Sequence, residues 1–267
     1  MAWSLEHSYT EYPAVEAQFE EALDESLAPR GPDFLFELVA GMGLPPGARA
    51  VDVGCGEGRQ AVALAERFGL SVAGIDPVQR HIDVSRVEAR ESPGVEFRLG
   101  SVEALPVPDR SVDLVWCRDV LVHVADLGRA YRELARVLKP GGRVLVYQMF
   151  GTELLEPREA GWLFATMGVV PGSAEPANTE AAIATAGLLL DRTVEISSEW
   201  GEQAQELGGK PGRKLLHAAR LRRQERIFKE RYGEAAYELM MGDCFWHVYA
   251  MIGKLTRRVY LLTKPLP

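Results

Sequence analysis

Three glycines at alternate positions directly after an apolar segment constrain this chain more than any other feature. The largely apolar stretch from Ala48 to Val53 predicts a buried strand, and Gly54, Gly56 and Gly58 follow it at once. Apolar side chains then recur at helical spacing from Ala61 to Phe68. Because glycine has no Cβ, such a turn lets a ligand approach the main-chain N–H groups near the positive end of a helix dipole. The segment predicts a strand, a glycine turn and a helix that bind a nucleotide-like ligand; a plain tight turn is the alternative.

The spacing of the glycines indicates which kind of nucleotide ligand is expected. The run reads G-x-G-x-G, and Arg59 stands where the dinucleotide fingerprint G-x-G-x-x-G has its last glycine. A second apolar run, from Ser71 to Ile75, ends in Asp76, which lies 18 residues after Gly58. A carboxylate at the tip of the second parallel strand can accept both hydroxyl hydrogens of a ribose. Together these features predict a nucleoside site that is not of the usual dinucleotide type.

On these residues, the stretch from about Arg30 to Phe150 resembles the class I S-adenosylmethionine-dependent methyltransferases. Within that class, the stretch looks most like the small-molecule methyltransferases of ubiquinone biosynthesis and natural-product pathways. After Phe150 the resemblance holds only in outline. It implies S-adenosylmethionine as the cofactor and Asp76 as the ribose ligand. The residues it implies around the methionine part of the cofactor are Asp52, Gly54, Cys55, Gly56 and Gly58.

The same resemblance implies two further contacts with the cofactor. The segment after the third strand faces the adenine, and Ser101 holds the place where relatives usually have an acidic residue. A hydroxyl can still accept a hydrogen bond, and Val102 and Glu103 complete this candidate adenine segment. At the end of the fourth strand, the resemblance implies that the backbone carbonyls of Cys117 and Arg118 receive the cofactor ammonium group.

Strand and helix patterns alternate through the first half of the chain, which predicts an α/β fold. We expect strands near 49–53, 71–75, 95–99, 112–117 and 143–148, and helices near 57–68, 78–91 and 126–138. Such alternation is typical of a doubly wound, mostly parallel sheet. The resemblance implies a Rossmann-like sheet of seven strands, closed by an antiparallel last strand that Arg257 to Leu262 could supply. Arg192 to Ser198 predicts a further strand, and Glu11–Glu25 and Asp33–Ala40 predict helices before the first one.

The length and the absence of a clear linker favour one methyltransferase domain over residues 1–267. Within it, we expect an N-terminal helical cover over residues 1–30 and a cofactor-binding core over residues 31–150. Residues 151–187 and 201–255 are expected to form a cap on the substrate side. The three prolines between 151 and 187 argue against regular alternation there, and so long a connection predicts a lid with helices of its own.

Charge and composition narrow the classes of partner. The net charge of −8 argues against broad nucleic-acid binding, although nine cations lie between Lys210 and Arg231. That run predicts a solvated helix face, with an acidic substrate or an RNA contact as alternatives. The three cysteines are scattered, no metal-ligand spacing occurs, and neither a signal peptide nor an apolar stretch long enough for a membrane span is recognised. These features predict a cytoplasmic protein without a metal or membrane role that acts on a small-molecule acceptor, with a homodimer as the candidate assembly.

His123 is the candidate catalytic base, because it follows the fourth strand and histidine exchanges protons near neutral pH. A positioned base accelerates methyl transfer to a hydroxyl, and a structural role for His123 is the alternative. The resembled subgroup has an aspartate at the end of the fifth strand, whereas this chain has Gln148. Its amide could contact the acceptor by orienting a hydroxyl, but it cannot act as a base. That difference leaves C- or N-methylation open beside O-methylation.

Aromatic residues and one further histidine are the weaker candidates for contact with the acceptor. Trp162, Trp246 and His247 could line an acceptor pocket, and packing in the core explains them equally well. Rival functions are an RNA or protein methyltransferase that uses the basic run, a protein that binds the cofactor without transferring methyl, and a dinucleotide oxidoreductase.

Overall fold

The computed structural model describes residues 4–90 and 92–267, and over these residues the chain forms seven strands and eleven helices. The strands are β1 (Arg49–Val53), β2 (Ser71–Asp76), β3 (Val95–Leu99), β4 (Val112–Arg118), β5 (Leu138–Gly151), β6 (Leu189–Glu195) and β7 (Leu255–Thr263). The first five helices are α1 (Leu5–Asp24), α2 (Phe34–Ala40), α3 (Arg59–Phe68), α4 (Gln79–Glu88) and α5 (Leu127–Val137). The remaining helices are α6 (Pro157–Met167), α7 (Pro176–Thr185), α8 (Glu199–Gly208), α9 (Lys210–Arg223), α10 (Glu225–Tyr232) and α11 (Glu234–Met251).

All seven strands lie in one sheet in the order β3-β2-β1-β4-β5-β7-β6. The first five strands run parallel to their neighbours, and β7 pairs antiparallel with both β5 and β6. This confirms the predicted α/β fold with a mostly parallel seven-stranded sheet and an antiparallel strand supplied by 255–263. The strand order reverses direction between β1 and β4, and ligands of such sheets bind outside the carboxyl ends of the strands at that point.

Alternating side chains of the central strands build a core on each face of the sheet. On β4, Trp116 packs into the layer that contains α2, where its ring stacks on Phe36 at 5.1 Å, whereas Cys117 packs into the layer that contains α5. The apolar face of α5 is fully or almost fully buried, and the Asp126 carboxylate caps the helix by accepting from the Arg129 N–H. Burial on both faces is why the strands read as nearly continuous apolar runs.

Several element boundaries differ from those expected from sequence. The structure starts β5 at Leu138, five residues before the predicted 143, because the Pro140-Gly141 turn forms a bulge inside the strand. There Val112 pairs with Leu138 and Leu114 with Arg143, while Gly141 takes a φ of +77° that favours glycine. The structure also places β6 at Leu189–Glu195, three residues earlier than predicted.

Strand β6 forms one edge of the sheet and is exposed along most of its length. Of its seven residues only Val194 is buried. The pairing of β6 with β7 shifts register between Leu190 and Arg192, which leaves Asp191 as the extra residue. The Asp191 carboxylate accepts from Arg143 Nη1 at 2.9 Å and from the Thr263 hydroxyl. The shift is therefore held in place by hydrogen bonds to its neighbour β7 and to β5 beyond it.

Helix α1 starts earlier than the predicted Glu11, and none of its side chains that the structure describes is buried. Its described side chains are all exposed, including the apolar residues Leu5, Tyr9 and Phe19 at 76%, 78% and 61%. Arg30, after the helix, is held by the Glu199 carboxylate and the Glu195 carbonyl. Residues 1–3 of the predicted N-terminal cover lie outside the described residues, and the cover itself stays a prediction.

The two insertions of the C-terminal half are helical, as the sequence led us to expect. Helices α6 and α7 connect β5 to β6, and α8 to α11 connect β6 to β7. Apolar residues of α6 and α11 share one core with Val122 and Met149, which attaches the insertions to the carboxyl end of the sheet. Their role as a substrate-side cap and the single-domain division stay predictions. No helix among the described residues is long and apolar enough to cross a membrane.

Candidate cofactor and active site

The glycine loop after β1 uses its own N–H groups to hold itself against β2. The N–H groups of Gly54 and Cys55 donate to the Ile75 carbonyl at 2.7 and 3.1 Å, and that of Gly58 donates to the Cys55 carbonyl at 2.9 Å. The Gly56 N–H donates to the Asp76 carboxylate at 2.9 Å. The expectation that the amides of these glycines face a ligand is therefore wrong in this structure. A phosphate-binding loop needs such amides free, so the arrangement argues against the dinucleotide alternative.

The loop glycines instead allow close approach. All three have a positive φ, and a Cβ on Gly54 would lie 2.2 Å from a Val120 methyl group, inside contact distance. A Cβ on Gly56 would meet nothing within 4 Å, so the space beside Gly56 is open. Gly54 thus lets the loop pack on the segment after β4, while Gly56 presents bare backbone to a ligand.

Two buried side-chain oxygens beside the loop have no hydrogen-bond partner among the described residues, Oδ2 of Asp52 at the end of β1 and Oε1 of Gln60 in the first turn of α3. Asp52 is 2% exposed. Burial raises the pKa of its carboxyl to about 7, although the charge of Arg118 and the Ala61 backbone N–H act in the opposite direction. A buried carboxylate without a partner is costly, and a cationic group of a ligand would relieve that cost.

Asp76 lies at the tip of β2, as expected, but most of its acceptor capacity is already used. Oδ2 accepts from the Gly56 N–H, and Oδ1 accepts from the Val78 N–H at 2.9 Å. His81 Nδ1 lies 3.0 Å from the same Oδ1. A carboxylate has about four acceptor positions, so one remains for a ligand hydroxyl instead of the two we expected. The sequence reasoning missed His81, which the spacing from Asp76 into the first turn of α4 could have indicated.

The candidate adenine segment follows β3 at the same edge. Ser101 forms an isolated bridge with Ala104, and the Gly100 N–H donates to the Asp76 backbone carbonyl at 3.1 Å. Val102 is 6% exposed and packs in the core, while the Glu103 carbonyl accepts from Arg129 Nε. The Glu103 backbone is therefore fixed, and Ser101 and Glu103 keep partly exposed side chains at this edge.

The end of β4 brings a guanidinium and a carboxylate to the opening of the site. Cys117 is fully buried, and burial raises the pKa of its thiol and of the Cys55 thiol, so both are inert small hydrophobic groups. Arg118 Nε lies 4.0 Å from Asp119 Oδ2, and its guanidinium lies over the rings of Tyr147 and Trp200. Asp119 has a φ of +59°, a strained conformation that is common at functional sites.

His123 lies in a single 3₁₀ turn, Leu121–His123, just beyond the end of β4. Its Nδ1 is 2.8 Å from the Gly168 carbonyl oxygen. Because a carbonyl only accepts, Nδ1 carries the hydrogen, and Nε2 of the neutral ring keeps its lone pair. The residue is exposed, so Nε2 can accept a proton from a bound molecule.

The residues predicted to contact the acceptor lie mainly in packing environments. Gln148 is fully buried, and its Nε2 donates to the Ser173 carbonyl at 2.5 Å, so it joins β5 to the turn before α7. Trp162 donates from Nε1 to Glu238 and packs edge-on against Phe245. His247 Nδ1 bonds to the Asp243 carbonyl one turn earlier in α11, and Trp246 packs against the same core as Trp162. These contacts favour packing roles for all four residues.

Three residues that the sequence reasoning did not single out lie together at the β4–β5–β7 side of this sheet edge. Trp200 stacks on Tyr147 at 4.4 Å with nearly parallel rings, and its Nε1 is buried without a partner. Arg257, on β7, is 8% exposed and interacts with the Tyr147 hydroxyl. Asp119, with a side chain 49% exposed, completes the group. The only sequence signal was Arg257, a charged residue at a strand position whose neighbours on the same face are apolar.

The basic run of α9 and α10 lies apart from this group. Three of its nine cations form ion pairs, Lys214 with Asp243, Arg226 with Glu230, and Lys229 with Glu225 and Glu234. A cavity of about 430 Å³ lies among α9, α10 and α11, and none of the predicted site residues lines it. The pairing agrees with a solvated helix face, and the cavity is not part of the candidate site.

Comparison with known proteins supports the assignment of the core. Residues 51–146 match the family model described as a methyltransferase domain. The chain is 29% identical to "Methyltransferase GfsG" of Streptomyces halstedii over 181 residues, which are 66% of this chain and 65% of that protein. It is 35% identical to "27-O-demethylrifamycin SV methyltransferase" of Amycolatopsis mediterranei over 48% of this chain and 47% of that one. The chain thus spans less than two thirds of the length of these curated relatives.

Solved structures agree with this family. The 4+2 cyclase SpnF has a TM-score of 0.68 and 26% identity, with 88% of this chain and 82% of that chain covered. Geranyl diphosphate C-methyltransferase from Streptomyces coelicolor has a TM-score of 0.63 and 18% identity over 86% of this chain and 78% of that one, a likeness of fold alone. The matched residues 51–146 carry the glycine loop and the strands beside it, so this core is similar to the methyltransferase domain.

Proposed function

We propose that this protein transfers a methyl group from S-adenosylmethionine to a hydroxyl group of a small organic acceptor, with His123 as the base. The observation that carries the proposal is the orientation of His123, whose Nδ1–H is fixed by the Gly168 carbonyl so that Nε2 is left as the proton acceptor. A relative whose name refers to an oxygen position, the rifamycin methyltransferase, agrees with an oxygen acceptor.

The residues at the β1–β2 edge fit the cofactor. The unpaired Oδ2 of Asp52 suits the ammonium group of the methionine part, and the open space beside Gly56 suits close contact with its chain. The remaining acceptor position of Asp76 suits one ribose hydroxyl, and Ser101 and Glu103 lie where the adenine is expected. A loop whose amides are already bonded suits a ligand without phosphate groups.

The bound cofactor would supply a methyl group on a sulfonium, and transfer of that methyl group leaves a neutral thioether. Alignment of the acceptor oxygen is then the main requirement on the protein. His123 Nε2 takes the hydroxyl proton, and the positive charge that forms on the ring is stabilised by the Gly168 carbonyl at Nδ1 and by the nearby carboxylate of Asp119. Such a base contributes roughly 10²–10⁴ in rate.

The test replaces His123 with alanine and follows two quantities separately. With S-adenosylmethionine carrying a labelled methyl group and a panel of hydroxyl compounds, His123→Ala should lower turnover by about 10²-fold or more. The affinity for S-adenosylhomocysteine should stay within about twofold of wild type, because His123 lies outside the residues assigned to the cofactor. His217→Ala, a histidine on α9, is the control and should change neither quantity.

Two results would contradict this assignment. Unchanged turnover in His123→Ala would mean that the acceptor needs no base at that position, which would favour C- or N-methylation. Tight binding of S-adenosylhomocysteine without methyl transfer to any acceptor would favour a second candidate function, cofactor binding coupled to another reaction. The likeness to SpnF, described as a 4+2 cyclase and 26% identical over most of this chain, is the observation that favours this second candidate. Homodimer formation and a cytoplasmic location stay predictions.

A further inference from the structure

The acceptor side of the site contains a buried cation without a partner of opposite charge at contact distance. Arg257 is 8% exposed, and no carboxylate oxygen of the described residues lies within 4.0 Å of its guanidinium. One of its five N–H donors binds the Ser197 carbonyl at 3.0 Å, and the guanidinium lies near enough to Tyr147 to act against the burial that raises the pKa of that hydroxyl. Buried charges in proteins are normally paired. Arg257 therefore keeps donors and charge that this chain alone does not satisfy.

A second unsatisfied donor lies in the same group of side chains. Trp200 is 8% exposed, and its indole Nε1 is buried and has no hydrogen-bond partner among the described residues. Leaving a buried donor unpaired costs about 1–3 kcal/mol. The Trp200 ring stacks on Tyr147, whose hydroxyl interacts with Arg257, so the two unsatisfied donors share one neighbour.

The balance of charge at this edge is positive. Arg118 lies over the Trp200 ring at 5.3 Å, which brings a second guanidinium to the same place. Asp119 is the carboxylate that interacts with the charges of both Arg118 and Arg257. Its single negative charge compensates one of these two positive charges. Asp52, on the other side of Arg118, is assigned above to the cofactor ammonium. One positive charge therefore remains at the acceptor side.

The position of this group relates it to the proposed chemistry. Arg118 is paired with Tyr147 across β4 and β5, and Arg257 is paired with Met149 two positions further along β5. Arg257 thus lies beyond the end of β4, on the side of the sheet edge where His123 follows. The charges of His123 and Arg257 both act on the Asp119 carboxyl, so the two side chains lie near one residue. An acceptor whose hydroxyl reaches His123 would therefore have Arg257 within reach.

We propose that Arg257, together with the Trp200 indole N–H, binds an anionic oxygen group, a carboxylate or a phosphate, carried by the acceptor. This inference rests on the proposed function and names the chemical class of its substrate. Arg257 supplies the charge and a forked set of donors, the geometry that suits such anions. Trp200 supplies one further donor and closes the group from water.

The experiment measures anion binding without knowledge of the acceptor. Inorganic phosphate and sodium benzoate are titrated, at constant ionic strength with sodium chloride as reference, into the free protein and into protein saturated with S-adenosylhomocysteine. Isothermal titration and the shift in melting temperature are the readouts. The wild type should respond to phosphate or benzoate and not to chloride, and Arg257→Gln should weaken that response at least about tenfold.

The matched control is the next residue of the same strand. Arg258 is paired with Glu195 at 2.7 Å and lies over the Phe150 ring, so it belongs to the opposite face. Arg258→Gln removes the same charge and should leave the anion response within about twofold of wild type. Trp200→Phe keeps the stacking and removes only the N–H, and it should weaken the response several-fold. If Arg257→Gln does not fold, Trp200→Phe decides alone.

The outcomes separate this inference from the function on which it rests. No anion response in wild type, or an unchanged response in Arg257→Gln or Trp200→Phe, would overturn the subsite. An equal loss of S-adenosylhomocysteine affinity in Arg257→Gln would also overturn it, because the guanidinium would then serve the cofactor. Failure of the wild type to bind S-adenosylhomocysteine would instead refute the proposed function.

Discussion

The β1–β2 side and the β4–β5–β7 side of the same sheet edge differ in how far the chain satisfies its own polar groups. On the β1–β2 side, the loop amides are bonded to backbone carbonyls or to the Asp76 carboxylate, and Asp52 Oδ2 is a buried oxygen left without a partner in the described part of the chain. On the other side, the Trp200 indole N–H is unpaired and Arg257 has no ion pair within the described residues. In our proposal, the first side is preformed for the cofactor, and the second is completed by the acceptor.

The largest expected effect tests whether the β1–β2 side is preformed. Asp76→Asn removes the charge that accepts from Gly56, Val78 and His81, so the loop loses its anchor together with the ribose contact. We expect the affinity for S-adenosylhomocysteine to fall by about 100-fold or more, together with a lower melting temperature.

Asp83→Asn is the control for Asp76, because Asp83 lies on α4, and its side chain bonds only to Gln79 in the first turn of that helix. It should leave affinity and melting temperature unchanged. Wild-type affinity in Asp76→Asn, measured by titration calorimetry, would mean that the loop and the ribose do not depend on this carboxylate.

A smaller effect should follow from the buried carboxyl of Asp52. Its pKa is raised to about 7, so its contribution to stability is complete below its ordinary pKa and is lost as the pH rises through 7. Asp52→Asn should therefore be more stable than wild type at pH 8, by on the order of a few kcal/mol, with the gain vanishing near pH 4.

The same carboxyl should also make cofactor affinity depend on pH, and affinity should rise over the range in which stability falls. Only ionised Asp52 attracts an ammonium group, so wild-type affinity for S-adenosylhomocysteine should rise about tenfold from pH 6 to pH 8. Asp52→Asn should bind more weakly and without that rise. A parallel pH dependence in both proteins would separate Asp52 from the cofactor and weaken the contrast between the two sides.

The smallest expected effect concerns α1, which belongs to neither side in this structure. Because its described side chains are all exposed, deletion of residues 1–24 should change the free energy of unfolding by less than about 0.5 kcal/mol. The double variant Phe19→Ser and Leu23→Ser keeps the helix and serves as the control. A loss above about 2 kcal/mol in denaturant unfolding, or much faster release of S-adenosylhomocysteine, would show that α1 covers the site.

The sequence predicted the β1–β2 side well because all its parts are close along the chain. The glycines, Asp52 and Asp76 lie within 25 residues, and strand-turn-helix order fixes their relation. The sequence did not predict that the loop N–H groups would donate to the Ile75 carbonyl and the Asp76 carboxylate. Hydrogen-bond partners on neighbouring strands depend on the register of those strands.

The acceptor side was largely missed for the opposite reason. Asp119, Trp200 and Arg257 come from the end of β4, from α8 and from β7, and only the antiparallel pairing of β5 with β7 brings the last to this edge. The aromatic residues chosen from sequence, Trp162 and Trp246, are packed within the helical insertion, where their spacing serves the core. Composition alone does not distinguish a packed aromatic residue from one that meets a ligand.

The register shift at Asp191 has a consequence for how molecules of this protein meet one another. An edge strand with regular, open backbone groups can template strand addition from a second molecule. Here the extra residue interrupts the outer hydrogen-bonding pattern of β6, and Asp191, Arg192 and Glu195 place charges along it. Addition of a strand from another molecule at this edge, and aggregation by that route, is therefore disfavoured. The exposed side chains of Leu189 and Leu190 thus do not lie on an edge that readily pairs with a second molecule.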